Sequence, residues 1–177
     1  DGDTVLVEQG TYYENLIIEK SITLISRAVF DDLDSWVEYS DGYQVSNQNI
    51  ANTILNGSTA GNFLGSVITV NSPGDDCISP IIKGFTITEG IGSSIGTYNE
   101  GMLLSEKFFG GGFISNNARP TFNYNAFLDN GSVGTGNIFS GGGGSFVEGY
   151  QTFRVEYEGE EILSEIWKWI EITQDQF

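Results

Sequence analysis

Asp31, Asp32 and Asp34 crowd three carboxylates into four positions of the stretch "FDDLDSW". Carboxylate oxygens at that spacing could ligate Ca2+, a hard cation that takes oxygen ligands. Trp36, Tyr39 and Tyr43 follow closely, and flat aromatic faces suit the apolar C–H faces of sugar rings. The twelve-residue calcium loop of EF-hands is absent, and acidic stretches of this kind also occur as plain solvated loops. The "PGDDC" turn from Pro73 to Cys77 poses the same two readings in weaker form. Glycine runs at Gly110–Gly112 and Gly141–Gly144 lack the Asp of calcium-binding nonapeptide repeats and the GK[ST] of phosphate loops, which leaves them as chain corners.

The rest of the composition removes several chemistries. There is no histidine among the 177 residues, so Ser–His–Asp triads and the usual zinc sites are excluded. Cys77 is the single cysteine, so no intrachain disulfide forms, and a catalytic thiol would have no imidazole base. Seven Lys and Arg stand against 24 Asp and Glu, a formal net charge of −17. That surface repels phosphate backbones and anionic lipid, so neither nucleic acid nor a membrane is the expected partner. No apolar run has the length to cross a bilayer as a helix. Asn56 and Asn130 both open "NGS", which reads first as a turn dipeptide.

The elements that must carry these residues are short strands. "TVLVEQG" (Thr4 to Gly10) alternates and stops at glycine, and "ENLIIEKSITLISR" (Glu14 to Arg27) holds two further apolar beats. The rhythm breaks over residues 28–52, which read as a long acidic and aromatic loop projecting from the body. It resumes in "TILNGS", "SVITVNS" and "SPIIKGFTITEG", loosens from Ile91 to Phe109, and returns in "GGGFISNNARPTFNYNAFLDNGS". Beats recurring roughly every 20 to 30 residues are the period of a solenoid, in which each turn buries its face against the next. Val5, Val7, Ile17, Ile22, Leu24, Ile54, Ile68, Val70, Ile82, Phe85, Ile87, Phe122 and Phe127 are the expected interior. Asparagines at the corners would form hydrogen-bonded ladders between rungs stacked about 4.8 Å apart.

These stretches resemble the right-handed parallel β-helix proteins of the pectate-lyase-like superfamily. "DGDTVLVEQGTYYENLIIEKSITLISR" is similar to their first coils, "IIKGFTITEG" to their recurring middle coil, and "GGGFISNNARPTFNYNAFLDNGS" to a later one. The resemblance covers about residues 1–147. It implies an all-β solenoid over residues 1–149 with the 28–52 insertion, secreted or displayed on a bacterial surface. Relatives usually place a strand or capping helix before the "DGDTV" stretch, which implies a shortened N-terminus here. Lyase chemistry in that superfamily needs Ca2+ on carboxylates with an Arg or Lys base beside it. Arg119 in "NNARPTF" is the best-placed candidate base among Arg27, Lys83, Lys107 and Arg119.

Residues 150–177 leave the pattern. Phe153, Val155 and Tyr157 alternate as in a strand, while Ile162, Ile166 and Ile170 recur at four-residue spacing, as on an amphipathic helix. "IWKWIEI" alternates equally well as a strand. Either would cap the open end of a solenoid or contact a partner. Three functions therefore stand open: a rigid extracellular module for glycan binding, adhesion or assembly; a calcium-dependent polysaccharide lyase; and a subunit that self-associates end to end into a fibre.

Overall fold

The computed structural model describes residues 2–38, 44–58, 65–74, 77–99, 102–131, 139–141, 145–148, 152–157 and 160–165. The chain is mostly β, and its centre is three four-stranded parallel sheets. The first sheet holds Thr4–Val7, Thr23–Ser26, Ile81–Lys83 and Thr121–Asn123. The second holds Gly10–Tyr13, Thr53–Asn56, Thr86–Thr88 and Ala126–Leu128. The third holds Leu16–Ile18, Ile68–Asn71, Phe113–Asn116 and Ser145–Glu148. In chain order the strands fall to the first, second and third sheet in unbroken rotation. Each circuit of the three sheets is one pass, and the described residues make four.

Strand pairing stacks like positions into columns. Val5, Leu24, Ile82 and Phe122 form one column, and Tyr12, Leu55, Ile87 and Phe127 a second. Leu16, Ile68 and Phe113 form a third. These columns face one core, in which Phe85, Ile68, Ile82 and Ile87 are fully buried. Burying each such side chain contributes about 1.5–3 kcal/mol. Phe113, Phe122 and Phe127, one from each sheet, close on one another with ring centroids 4.2 to 5.8 Å apart.

The same stacking explains where the acid goes. Equal charges about 4.8 Å apart in one column would repel. Of the twelve strands, only two carry a charged residue, Lys83 and Glu148. Among the described residues up to Gly131, the carboxylates lie in the corners and insertions.

Three expected interior positions differ. Ile17 is 70% exposed, because the neighbouring Leu16 and Ile18 continue the columns of Ile68 and Val70. Ile54 is only half-buried, and Leu55 takes the inward place between Tyr12 and Ile87. Both segments are apolar at adjacent positions, so alternation alone leaves their phase undecided. Val5 heads an inward column but stays 44% exposed, as part of the edge strand of its sheet.

The stretch from Ile91 to Phe109 is more regular than its sequence suggests. Ser93–Asn99 and Met102–Phe109 pair antiparallel, and Met102–Phe109 also pairs with Phe139–Gly141. The glycine run beside it is a contact point. The carbonyls of Gly111 and Gly112 accept from the amides of Val67 and Ile68, and Gly90 lies so near the Gly111 carbonyl that a Cβ would collide with it. Further on, Thr152–Tyr157 pairs antiparallel with Glu160–Glu165, so residues 160–165 are strand where four-residue spacing suits a helix. Residues 166–177, with Trp167 and Trp169, lie outside the described residues.

Candidate functional site

Residues 78–91 and 118–131 run in register at an offset of 40, with Ile81 opposite Thr121 and Thr86 opposite Ala126. Around the fourth pass the same turn occurs three times. Asn117, Tyr124 and Asp129 each adopt a positive φ, of 48°, 54° and 52°. Two residues later, the amides of Arg119, Ala126 and Gly131 donate to the carbonyls of Ile78, Phe85 and Gly90. At two of the three corners the intervening residue is an asparagine that clamps the pass before it. Asn125 accepts from the Phe85 amide and donates to the Ile82 carbonyl, both at 2.9 Å. Asn130 accepts from the Gly90 amide at 3.0 Å and donates to the Ile87 carbonyl at 2.8 Å. The expected side-chain ladder also occurs, where Asn116 donates to Asn71 at 3.2 Å.

The insertion leaves the corner between the first and second sheets. Pairing of Ile25 with Lys83 and of Ile54 with Thr86 puts residues 27–52 where the third pass has none between Gly84 and Phe85. It is structured. Ser26 caps a 3-10 turn over Arg27–Phe30 by accepting from the Ala28 amide. Val37–Glu38 pairs antiparallel with Gln44–Val45. Asn47 caps the helical turn Gln48–Asn52, accepting from the Ile50 amide at 3.0 Å, and Ile50 is fully buried.

The Asp residues serve this scaffold. One carboxylate oxygen of Asp31 accepts from Asn49 at 2.7 Å and from Asn47 at 3.0 Å. The hydrogen bond from Asn49, then that from Asn47, holds the Asp31 carboxyl below the usual carboxylate range. Asp32 accepts from the Asp34 amide at 3.0 Å, an Asx turn. Among the described residues, no group of three or more His, Cys, Asp or Glu is placed to hold a metal. Asp75 and Asp76 of the "PGDDC" turn lie outside the described residues. At the base of the insertion, Arg27 meets Glu8 with an N–O distance of 2.6 Å and lowers the Glu8 pKa by that hydrogen bond.

The aromatic residues are placed differently. Tyr39 and Tyr43 lie outside the described residues. Trp36 reaches over the corner to the fourth pass and meets Tyr124 edge to face, with centroids 6.1 Å apart and planes at 81°. Lys83 sets its ammonium 5.2 Å from the centre of the same Tyr124 ring. Tyr124 remains 41% exposed. Arg119 is exposed at the corner before the first sheet, two residues ahead of Thr121. The insertion that carries Asp31, Asp32 and Asp34 leaves from the other end of that sheet's strands, after Ser26. The register therefore separates the candidate base from the candidate carboxylates along the strand direction.

Tyr124 is the residue that single-motif reading misses, and Lys83, a candidate base by type, lies over its ring. The signal lies in the 40-residue offset. "IIKGFTITEG" has Gly84 with φ of 86° where "TFNYNAFLDN" has Tyr124. A bulky residue in the left-handed region costs roughly 1–2 kcal/mol relative to glycine, and such outliers cluster at ligand sites. The exposed ring, the strained backbone beneath it, the tryptophan beside it and the lysine over it form the candidate site. No protein-family model matches the sequence, and no curated protein or solved structure is significantly similar to it.

Proposed function

We propose that the three-sheet rotation winds as a right-handed parallel β-helix of the pectate-lyase-like kind. We propose further that the chain is a secreted or surface-displayed module whose rigid body presents Trp36 and Tyr124 to a glycan. Unbroken rotation and columns in register over four passes support the first part. The single observation that carries the second is Tyr124, an exposed ring kept at a strained position where the pass before it has glycine. A sugar ring would stack on the aromatic surface, and the Lys83 ammonium would add a hydrogen-bond donor beside it. No metal enters this reading.

The test is affinity electrophoresis through gels containing xylan, glucomannan, polygalacturonate or alginate, each with Ca2+ and with chelator. The expected result is retardation by at least one polysaccharide, weakened about two- to tenfold in Tyr124→Ala and Trp36→Ala, since ring stacking is worth about 0.5–1.5 kcal/mol per pair. Migration unchanged in every gel, or variants that bind as the unmodified chain does, would refute the reading. Release of unsaturated uronate in the Ca2+ arm would instead mark a polysaccharide lyase, with Arg119 as its candidate base.

A further inference from the structure

In stacked passes each turn ordinarily contacts only the turns next to it, so stability is a sum of neighbour terms and the ends fray first. Residues 27–52 leave from the second pass but bond beyond its neighbours. Toward the first pass, Asn49 accepts from the Gln9 side chain at 2.8 Å, and Arg27 pairs with Glu8. Toward the third, the Ile50 carbonyl accepts from the Thr86 hydroxyl at 3.0 Å, and Ile50 is fully buried. Gly84 lies under Ala28, where a Cβ would press on Ala28 and on Ser26. Toward the fourth, two passes away, Trp36 packs on Tyr124. The neck of this segment is closed on itself, because Asp31 accepts from Asn47 and Asn49, and the Trp36 carbonyl accepts from the Ser46 and Asn47 amides.

We infer that residues 27–38 and 44–52 are a strap that couples the first and fourth passes, so that the body opens as one unit instead of fraying from its ends. The strap works through a ring contact and hydrogen bonds at one corner, with Ile50 as its buried anchor. This inference is independent of the glycan reading, and its test needs no ligand.

The test is native-state hydrogen exchange on the whole chain, followed amide by amide. Thr121 and Ala126 report on the fourth pass, where their amides donate to Pro80 and Phe85. Thr23, in the second pass, reports on release of the first, since its amide donates to the Asp3 carbonyl there. Trp36→Ala cuts the tie to the fourth pass and should speed exchange of Thr121 and Ala126 about fivefold, leaving Thr23 unchanged. Asn49→Ala cuts one of the two ties to the first pass, leaving Arg27–Glu8, and should speed Thr23 about threefold with Thr121 and Ala126 unchanged. Neither side chain belongs to the core. Acceleration confined to residues 27–52, an equal factor at all three reporters, or no change would each overturn the inference.

Discussion

The corners at Tyr124–Asn125 and at Asp129–Asn130 share one backbone design and differ in what they carry. Each has a left-handed residue, an asparagine clamp on the previous pass, and a following amide that donates to a carbonyl 41 residues earlier. Asp tolerates the left-handed region, since its short side chain bonds locally. Tyr does not, and the pass before uses glycine at that place. Turn-making explains Asp129; Tyr124 bears the strain that Glu89, at φ of 60° one pass before Asp129, also bears, and unlike Glu89 it has a further reason to be there. That reason is its ring, which meets Trp36 and Lys83 at the surface.

The clamps give the largest expected effect. Asn125 is 6% exposed and serves the fully buried Phe85. Asn125→Ala strands a buried amide and a carbonyl, and should cost about 2–4 kcal/mol in urea unfolding. Asn130 is only part-buried, so water can replace it, and Asn130→Ala should cost about 1 kcal/mol. Equal losses at the two sites would show that burial does not set the clamp's contribution. Ala118 occupies the clamp position at the third corner, so one of the three turns forms without the asparagine.

The left-handed residues come next. Tyr124→Ala keeps the strained backbone and loses the ring contacts, whereas Tyr124→Gly loses the contacts but relieves the strain. The glycine variant should be about 1 kcal/mol more stable than the alanine variant. Asp129→Gly should change stability by only a few tenths of a kcal/mol, because Asp is little strained there. A Tyr124→Gly variant no better than Tyr124→Ala would remove the argument that the backbone is strained.

The smallest effect concerns acid. Asp31 and Glu8 both sit below their ordinary pKa, through Asn49 and Asn47 in one case and Arg27 in the other. Their contributions are present at neutral pH and are lost as pH falls through the carboxylate range. Both groups are exposed, so the effect is slight. Asp31→Asn should lower Tm slightly at pH 7 and leave it unchanged at pH 3. A Tm difference of the same size at both pH values would contradict the assigned role of the Asp31 charge.

The all-β character was readable from beats such as "TVLV" and "TILN", and parallel stacking from their period. The phase of "LII" was not, because both of its faces are apolar and only the Ile68 and Val70 columns decide it. The 28–52 segment showed its edges by loss of alternation, but its anchor Ile50 has only Ala51 as an apolar neighbour and carries no pattern. Trp36 was visible as a candidate by type. Its partner Tyr124, and the Lys83 that lies over the Tyr124 ring, are distant in sequence and come together only once the passes stack. Asp31 was visible as a ligand by type, whereas its bonds to Asn47 and Asn49 depend on the return of the chain.

The most direct test of the central claim is polysaccharide binding by Tyr124→Gly, with its unfolding measured in parallel. Tyr124→Gly should be a folded protein within about 1 kcal/mol of the unmodified chain, since strain relief offsets the lost ring contacts, and should bind the polysaccharide as weakly as Tyr124→Ala does. A folded Tyr124→Gly that binds as the unmodified chain does would contradict the account, because the ring would then have no part in recognition.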